Sequence, residues 1–350
     1  MRPDDPAAEA VAYGRSLLAA VAVFDRTRLT CLRLNSADLH FDAFFSDPGY
    51  AELCVRNLAL RSRSEASPAR VRLYLLDAEG LGWPRPAPWF GERFDRAQLN
   101  AALAAAGLRG TYLHDPRVWQ FFDPAQGVGV QLLRRPGTWP AWESGGPLRA
   151  FLHWMHASDS VSLCHAGTVG VDGRGVLLVG AGGSGKSGTV LAAVAGGLDT
   201  AGDDYCLVGQ AENAVWARPL FRILKQDPDG VRRAFGGSLA DRLDPLNWQG
   251  KHEIHASRLP RDPFVDSLRI VAVVVPRIGG GRTSAFRPLE AARAMRALAP
   301  SSAFQLPDGE RQGIVFAAAL CRRLPCYEMS LSDNAAEIAA SLEGFVRGMP

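Results

Sequence analysis

The spacing of hydrophobic and polar residues changes near the middle of this 350-residue chain. In the first half, short apolar and alternating runs predict strands, and two of them flank a Pro-Ala-Gln-Gly turn that predicts a hairpin. A loop rich in proline, glycine and tryptophan over 135–146 then marks a domain boundary. We therefore expect a small α+β domain over residues 1–148, with mostly antiparallel strands. Its predicted strands include 30–34, 71–76, 118–122 and 128–133.

The second half alternates strands and helices that are separated by glycines. The continuous aliphatic run 175–179 predicts a buried strand, as in a parallel sheet. A helix rich in Ala, Leu and Val follows it and is expected to end at Gly196. We therefore predict an α/β domain over residues 149–350. Its further elements are an entry helix near 147–156, a helix over 186–195, strands at 206–208 and 268–275, and a final helix over 334–345 capped by Ser332 or Asp333.

Two connecting segments of this domain allow a structural or a functional interpretation. The turn 279–282, Gly-Gly-Gly-Arg, resembles a phosphate loop only superficially, because no helix with Lys-Ser follows it. We therefore predict a hairpin connection there. The segment 226–250 is rich in Asp, Pro, Gly and Arg. It is either a lid over a substrate or a surface excursion, and the sequence leaves both open.

Composition excludes several classes of protein. With 47% hydrophobic and 21% charged residues the chain is globular, and no run of about 18 apolar residues predicts a membrane span. The net charge of +3 is too small to indicate nucleic-acid or membrane partners. Six cysteines without CxxC spacing argue against zinc binding and against a disulfide framework. We expect a cytoplasmic protein with reduced thiols, and a homo-oligomer is left open.

Lysine is scarce in the chain, and its positions are informative. Three of the 39 basic residues are lysines, namely Lys186, Lys225 and Lys251, and the rest are arginines. In a chain with so strong a bias towards arginine, a remaining lysine is expected where a compact ammonium charge is needed and a planar guanidinium does not serve. The three positions point to one functional region, and chance persistence stays open for Lys225 and Lys251.

The segment Gly180-Ala-Gly-Gly-Ser-Gly-Lys-Ser187, hereafter the glycine loop, has the spacing of a phosphate-binding loop. It follows a predicted buried strand and opens a predicted helix, which is the context such a loop requires. Its backbone can approach an anion closely, and successive N–H groups at a helix N-terminus point at that anion. We expect ATP here, with Lys186 on the β- and γ-phosphates and Ser187 on Mg²⁺. The predicted nucleotide-binding residues are Gly180, Gly182, Gly183, Ser184, Gly185, Lys186, Ser187 and Gly188.

Two adjacent acids, Asp203 and Asp204, stand at the head of the next predicted strand. No Walker-B strand of four aliphatic residues before an acid is found, and no transporter signature. Neighbouring side chains on a strand face opposite sides, so one acid is expected to contact Mg²⁺ and the other to accept the proton of an attacking hydroxyl. His165 lies near the acids if 161–163 and 176–179 form a hairpin through the Asp172-Gly173 turn. Otherwise it is a residue of the core.

Together these segments resemble the HPr kinase/phosphorylase family and its shorter relatives, which share a core with ATP-dependent phosphoenolpyruvate carboxykinases. The likeness covers roughly residues 150–345. Its specific part is the glycine loop followed by the strand with the two acids. The other matching segments are 165–169, 218–220, 224–225, 250–252, 287–292 and 334–342. The resemblance implies an α/β fold with a P-loop kinase core of this type behind a smaller α+β N-terminal domain.

The resemblance implies an ATP- and magnesium-dependent kinase that phosphorylates a hydroxyl, usually the serine of a protein or peptide. Asp203 is the slight favourite for the general base, with His165 against the acid pair. Lys225 and Lys251 are candidates for steadying the nucleotide or the transferred group. The implied catalytic residues are Asp203, Asp204, His165 and Lys186, and the implied metal contacts are Ser187 and Asp204.

The sequence also departs from the family in two places. The glycine-rich signature of the phosphorylase-linked element is not recognised, and the first 148 residues do not resemble the N-terminal domain of the bifunctional enzyme. HPr itself is therefore not the expected acceptor, and the serine of a precursor peptide is one option. Two alternatives are a non-catalytic ATP-binding regulatory protein and a small-molecule hydroxyl kinase. The paired acids argue against the first, because nucleotide binding alone needs no second acid.

Overall fold

The computed structural model confirms the predicted mixed α/β class. The chain divides into two compact units, and the division falls at 155/156, seven residues after the predicted boundary at 148/149. The first unit comprises 1–56 and 60–155, and the second comprises 57–59 and 156–350. The structure describes residues 5–59, 61–62, 68–83, 95–303 and 305–350.

A seven-stranded mixed sheet forms the centre of the first unit, in the order β3-β1-β2-β4-β7-β6-β5. Its strands are β1 Thr30–Ser36, β2 Leu39–Phe45, β3 Arg61–Ser62, β4 Val71–Asp77, β5 Arg109–Leu113, β6 Val118–Asp123 and β7 Val128–Leu133. The helices of this part of the chain are α1 Pro6–Ala22, α2 Pro48–Asn57, α3 Ala78–Leu81, α4 Arg96–Ala105 and α5 Arg149–His156.

The predicted hairpin of the first unit is confirmed, since β6 and β7 pair antiparallel. Two pairs differ from the mostly antiparallel arrangement that the sequence predicts, since β2–β4 and β4–β7 are parallel. Long connections make parallel neighbours feasible, as α2 lies between β2 and β4. Helices α1 and α4 pack on this sheet around the buried side chains of Leu17, Leu103 and Trp119.

The second unit is built on an eight-stranded mixed sheet and a separate two-stranded one. Its strands are β8 Val161–Cys164, β9 Gly167–Val171, β10 Arg174–Leu178, β11 Cys206–Gln210, β12 Val215–Pro219, β13 Ile223–Gln226, β14 His252–His255, β15 Leu268–Gly281, β16 Ala285–Pro288 and β17 Cys326–Ser332. Its helices are α6 Lys186–Ala195, α7 Pro228–Phe235, α8 Gly237–Ala240, α9 Ala291–Ala303, α10 Glu310–Arg323 and α11 Ala335–Gly348.

Helices cover both faces of the larger sheet, which explains its long aliphatic strands. On one face α6, α7 and α11 bury residues such as Leu191, Val231 and Leu342. On the other face α9 and α10 bury residues such as Leu298 and Phe316. Strands β10, β15 and β17 run parallel, so their carboxyl ends meet at one edge of the sheet. Ligands of open α/β sheets bind at that edge.

The hairpin considered between 161–163 and 176–179 does not form. Strand β10 instead pairs with β9, and β8 pairs with β11. The physical reason is the two-residue turn between β9 and β10, in which Asp172 and Gly173 have φ of 53° and 74°. Two consecutive left-handed residues form the tight turn that joins neighbouring antiparallel strands.

The predicted hairpin at 279–282 is also wrong, because β17 lies between β15 and β16 and pairs with both. The connection therefore crosses the end of β17. The cap of α11 differs as well: the Asn334 side chain accepts hydrogen bonds from the backbone N–H groups of Ala336 and Glu337. The Ser332 hydroxyl accepts from Asn334 N–H instead, so it orders the residue that caps the helix.

Within the described residues, no helix has both the length and the apolar character that crossing a membrane requires.

Helix α10 offers a matched pair of neighbouring positions for a test of the packing. Phe316 is 2% exposed and Val315 is 57% exposed. We expect Phe316→Ala to lower the free energy of unfolding by about 3–5 kcal/mol, because it leaves a cavity in the core. Val315→Ala is expected to change it by less than about 0.5 kcal/mol. Urea unfolding of both variants measures the difference, and equal effects would contradict the packing described here.

Candidate active site

The glycine loop lies where the sequence predicts it, between the carboxyl end of β10 and the first turn of α6. Gly183 and Gly185 have φ of 79° and 100°, a region that side chains other than glycine rarely adopt. A Cβ atom on Gly185 would also lie 2.7 Å from Leu331 Cδ1. The loop therefore packs against β17, and its backbone N–H groups stand at the N-terminus of α6.

Lys186 begins α6, and its side chain turns back over the glycine loop. Its Nζ donates hydrogen bonds to the carbonyl of Gly180 at 2.6 Å and to the next carbonyl at 3.2 Å. Burial lowers the pKa of Lys186, and the charge of Lys251 acts in the same direction, while Asp203 and Asp204 raise it. The ammonium thus stands within electrostatic reach of both acids.

Asp203 is the buried acid with an unused oxygen. It is 2% exposed, and its Oδ2 accepts a hydrogen bond of 2.8 Å from the backbone N–H of Lys225. Its Oδ1 has no hydrogen-bond partner among the described residues. Burial is the largest effect on the pKa of Asp203 and raises it to about 6, and the charge of Asp204 acts in the same direction. The Lys225 N–H and the nearby Ser187 hydroxyl act to lower this pKa. The free Oδ1 can accept a proton close to neutral pH.

Asp204 differs from its neighbour because both its oxygens are engaged. Oδ1 lies 2.8 Å from Nε2 of His165, and Oδ2 accepts from Lys225 Nζ at 2.9 Å. Burial acts to raise the pKa of Asp204, but the ammonium of Lys225 and the imidazole hold it well below its usual range. Asp204 is therefore a fixed anion.

The predicted proximity of His165 to the acids is observed, but it arises from the pairing of β8 with β11. Its backbone N–H donates to Ser302 Oγ at 3.0 Å. Its ring stacks on Tyr205, with centroids 5.0 Å apart, and the Tyr205 hydroxyl donates to Gln305 Oε1 at 2.6 Å. Sequence reasoning missed Tyr205, Ser302 and Gln305. The position of Tyr205 beside the acids was a usable signal, whereas Ser302, at the end of α9, and Gln305, just after it, gave none.

The three lysines meet at this site. The pairing of β13 with β14 sets Lys225 opposite Glu253, two residues after Lys251. Lys251 is close enough to Lys186 for its charge to lower the pKa of that ammonium. Gln226, which sequence reasoning also missed, packs on α6, since a Cβ on Gly188 would lie 3.1 Å from its Nε2.

A magnesium ion fits this donor set only with help from a ligand. Within the described ranges, no group of three or more His, Cys, Asp or Glu side chains could hold a metal. The Ser187 hydroxyl, close to Asp203, is a hard oxygen donor, which magnesium prefers together with phosphate oxygens and water. Asp204, expected as a metal contact, has its oxygens engaged, so a contact through water suits it better.

The raised pKa of Asp203 predicts a pH-dependent effect on stability. The folded pKa of about 6 lies above the ordinary 3.8, so ionisation destabilises the folded protein as pH rises from about 4 through 6. We expect the free energy of unfolding of Asp203→Asn, relative to that of the wild type, to rise by about 2–3 kcal/mol between pH 4 and pH 8. Urea unfolding of both proteins across that range, without magnesium or nucleotide, measures it. A constant difference between the two proteins would contradict the raised pKa.

Comparisons with known proteins add distant likenesses to solved structures. No protein-family model matches the chain, and no curated protein matches it. Among solved structures, the chain is similar to the HPr(Ser) kinase/phosphatase from Coxiella burnetii. The alignment has 15% sequence identity and a TM-score of 0.28, and it covers 53% of this chain and 94% of that chain. A score this low carries no conclusion about activity.

Proposed function

We propose that the protein is a magnesium-dependent kinase that transfers the γ-phosphoryl group of ATP to a hydroxyl, most simply the serine of a protein or peptide. The observation that carries the proposal is Asp203. It is a buried carboxyl with one unpartnered oxygen, beside a glycine loop that opens a helix. A general base for a hydroxyl needs such an acceptor next to the phosphate site.

The phosphate end of the reaction rests on the glycine loop. Its N–H groups and the dipole of α6 favour an anion, and the Lys186 ammonium adds a mobile positive charge. That ammonium now lies on the loop carbonyls. It can leave them for phosphate oxygens, which carry more negative charge. Bound magnesium would neutralise part of the charge on those oxygens, with Ser187 and water-mediated Asp204 as protein contacts.

Transfer needs a hydroxyl that loses its proton as the phosphorus–oxygen bond forms. The acceptor O–H donates to Asp203 Oδ1, which takes the proton. The hydroxyl oxygen forms its bond to the γ-phosphorus while the bond from that phosphorus to the β–γ bridging oxygen breaks, and ADP leaves with the electron pair of the broken bond. Asp204 stays ionised because Lys225 and His165 hold it. The charge of Asp204 keeps Lys225 in place. The backbone N–H of Lys225 in turn orients Asp203.

A protein or peptide acceptor is favoured over a small molecule by the segment between β13 and β14. It carries two exposed apolar side chains, Leu246 and Trp248, three to five residues before Lys251. The Asn247 side chain orders this turn, accepting from the N–H of Lys251 and donating to Glu253. An exposed tryptophan three residues before a lysine of the site suits an apolar side chain of a polypeptide. This favours the lid interpretation of 226–250.

Three variants test the roles assigned to the site. Lys186→Ala is expected to abolish ATP binding, because the phosphate charge loses its mobile partner. Asp203→Asn should retain nucleotide binding and reduce transfer by about 10²-fold or more, the scale of general-base removal. Asp204→Asn should do the same by freeing Lys225. Calorimetric ATP binding and γ-labelled transfer measure the two effects separately.

A matched control for these variants is Asp172→Asn, an exposed acid in the β9–β10 turn. It should leave both binding and transfer unchanged. If both active-site Asn variants transfer phosphate as well as the wild type, the proposed mechanism is wrong.

The acceptor is identified with γ-labelled ATP, magnesium and fractionated host extract. We expect label in a serine-containing protein or peptide, and no label with Asp203→Asn. Label that enters only water, or nothing, would favour the regulatory alternative. Label in a low-molecular-weight fraction would favour the small-molecule kinase.

A further inference from the structure

A cavity of about 630 Å³ lies in the second unit, apart from the acids. Three segments line it: Arg233 at the end of α7, Gly280–Arg282 at the end of β15, and Asp333–Ala335 at the start of α11. Cavities of roughly 300–1,000 Å³ are the usual size for small-molecule sites. None of these residues takes part in the phosphate chemistry proposed above.

The wall formed by the β15–β16 connection is held in place from α11. Glu337 accepts hydrogen bonds from the backbone N–H of Ser284 at 2.8 Å and from its hydroxyl at 2.7 Å. The Ser341 hydroxyl donates to the same carboxylate at 2.7 Å. The Ser284 hydroxyl also accepts from the backbone N–H of Ser332. The crossing over β17 is therefore fixed, and the cavity exists without a ligand to form it.

The sheet order places the glycine loop between the acids and this cavity. Strand β10 pairs with β9 on one side and with β15 on the other. Asp203 lies on the β9 side, where its carbonyl oxygen approaches Gly167. The cavity residues lie on the β15–β17 side, where a Cβ on Gly185 would lie 2.7 Å from Leu331 Cδ1 and 3.6 Å from Ile278 Cγ1. A triphosphate on the loop with its γ end at the acids therefore extends its other end towards the cavity.

The side chains of the cavity suit a nucleoside. Arg233 and Arg282 have no ion-pair or hydrogen-bond partner among the described residues, and both are exposed. A free guanidinium stacks on the face of an aromatic base. Asp333 is exposed with a carboxylate that can accept from ribose hydroxyls, as acids do in other nucleotide sites. The glycines of β15 have no side chains to project into the cavity, so a flat ring can lie against the backbone there.

We infer that this cavity is the subsite for the nucleoside half of a nucleoside triphosphate, with Arg282 and Arg233 on the base and Asp333 on the ribose. The inference rests on the proposed function, because it takes the glycine loop as the phosphate site. It assigns specificity for a nucleotide over inorganic polyphosphate to residues about 50–150 positions beyond that loop.

The test compares two probes, ATP and inorganic tripolyphosphate, each with magnesium, by calorimetry on the full chain. Wild type should bind ATP more tightly than tripolyphosphate. Arg282→Ala and Asp333→Asn should each weaken ATP binding by about tenfold, the size of a lost charge-assisted contact. Their affinity for tripolyphosphate should stay unchanged, which also shows that the variants are folded. Arg311→Ala, an exposed arginine on α10, is the matched control and should alter neither affinity.

The other results overturn the inference in ways that can be told apart. If the variants weaken the binding of ATP and of tripolyphosphate equally, the cavity residues contact the phosphates or an acidic acceptor beside them. Unchanged ATP binding in both variants would leave the nucleoside elsewhere. Wild type that binds neither probe would refute the phosphate site and, with it, the proposed function. Wild type that binds both probes equally would refute the nucleoside subsite alone.

Discussion

Two adjacent carboxylates, the buried Asp203 and the partly buried Asp204, lie in the second unit, and the surrounding structure has to compensate their charge. An ionised carboxyl without partners in a protein interior costs several kcal/mol. The backbone N–H of Lys225 compensates Asp203, and its ammonium compensates Asp204 together with His165. One residue on β13 thus serves both acids, which fixes β13 and its partner β14 beside them. The compensation is incomplete at Asp203 Oδ1, and that oxygen is the one to which the proposed function assigns the proton.

The position of β10 between β9 and β15 decides how this chemistry is laid out. The glycine loop leaves β10 at the carboxyl edge of the sheet, with the acids on one side and the cavity at Gly280–Arg282 on the other. A nucleotide can then lie along the edge, with its reactive phosphate in a buried site and its base in an open one. Burial at the proposed proton acceptor and exposure at the proposed base subsite both accord with this strand order.

Errors in the sequence interpretation came from pairings between distant segments. The β9–β10 turn carries a local signal, Asp172-Gly173, and it was assigned to the wrong pair of strands. The place of β17 between β15 and β16 has no local signal, because a strand some 40 residues later enters the gap. Hydrophobic spacing shows that a strand exists and does not show which strand lies next to it.

The sequence alone determined the features that depend on neighbouring residues. The bounds of α6, the glycines at positive φ and the aliphatic strand before them follow from local backbone chemistry. Lysine scarcity identified the three cations that meet at the site. Only the tertiary structure decided which oxygen of the acid pair stays free, that Ser302 and Tyr205 hold His165, and that a cavity lies beyond the loop. These contacts join residues that are mostly tens of positions apart, so their geometry exists only once the sheet has formed.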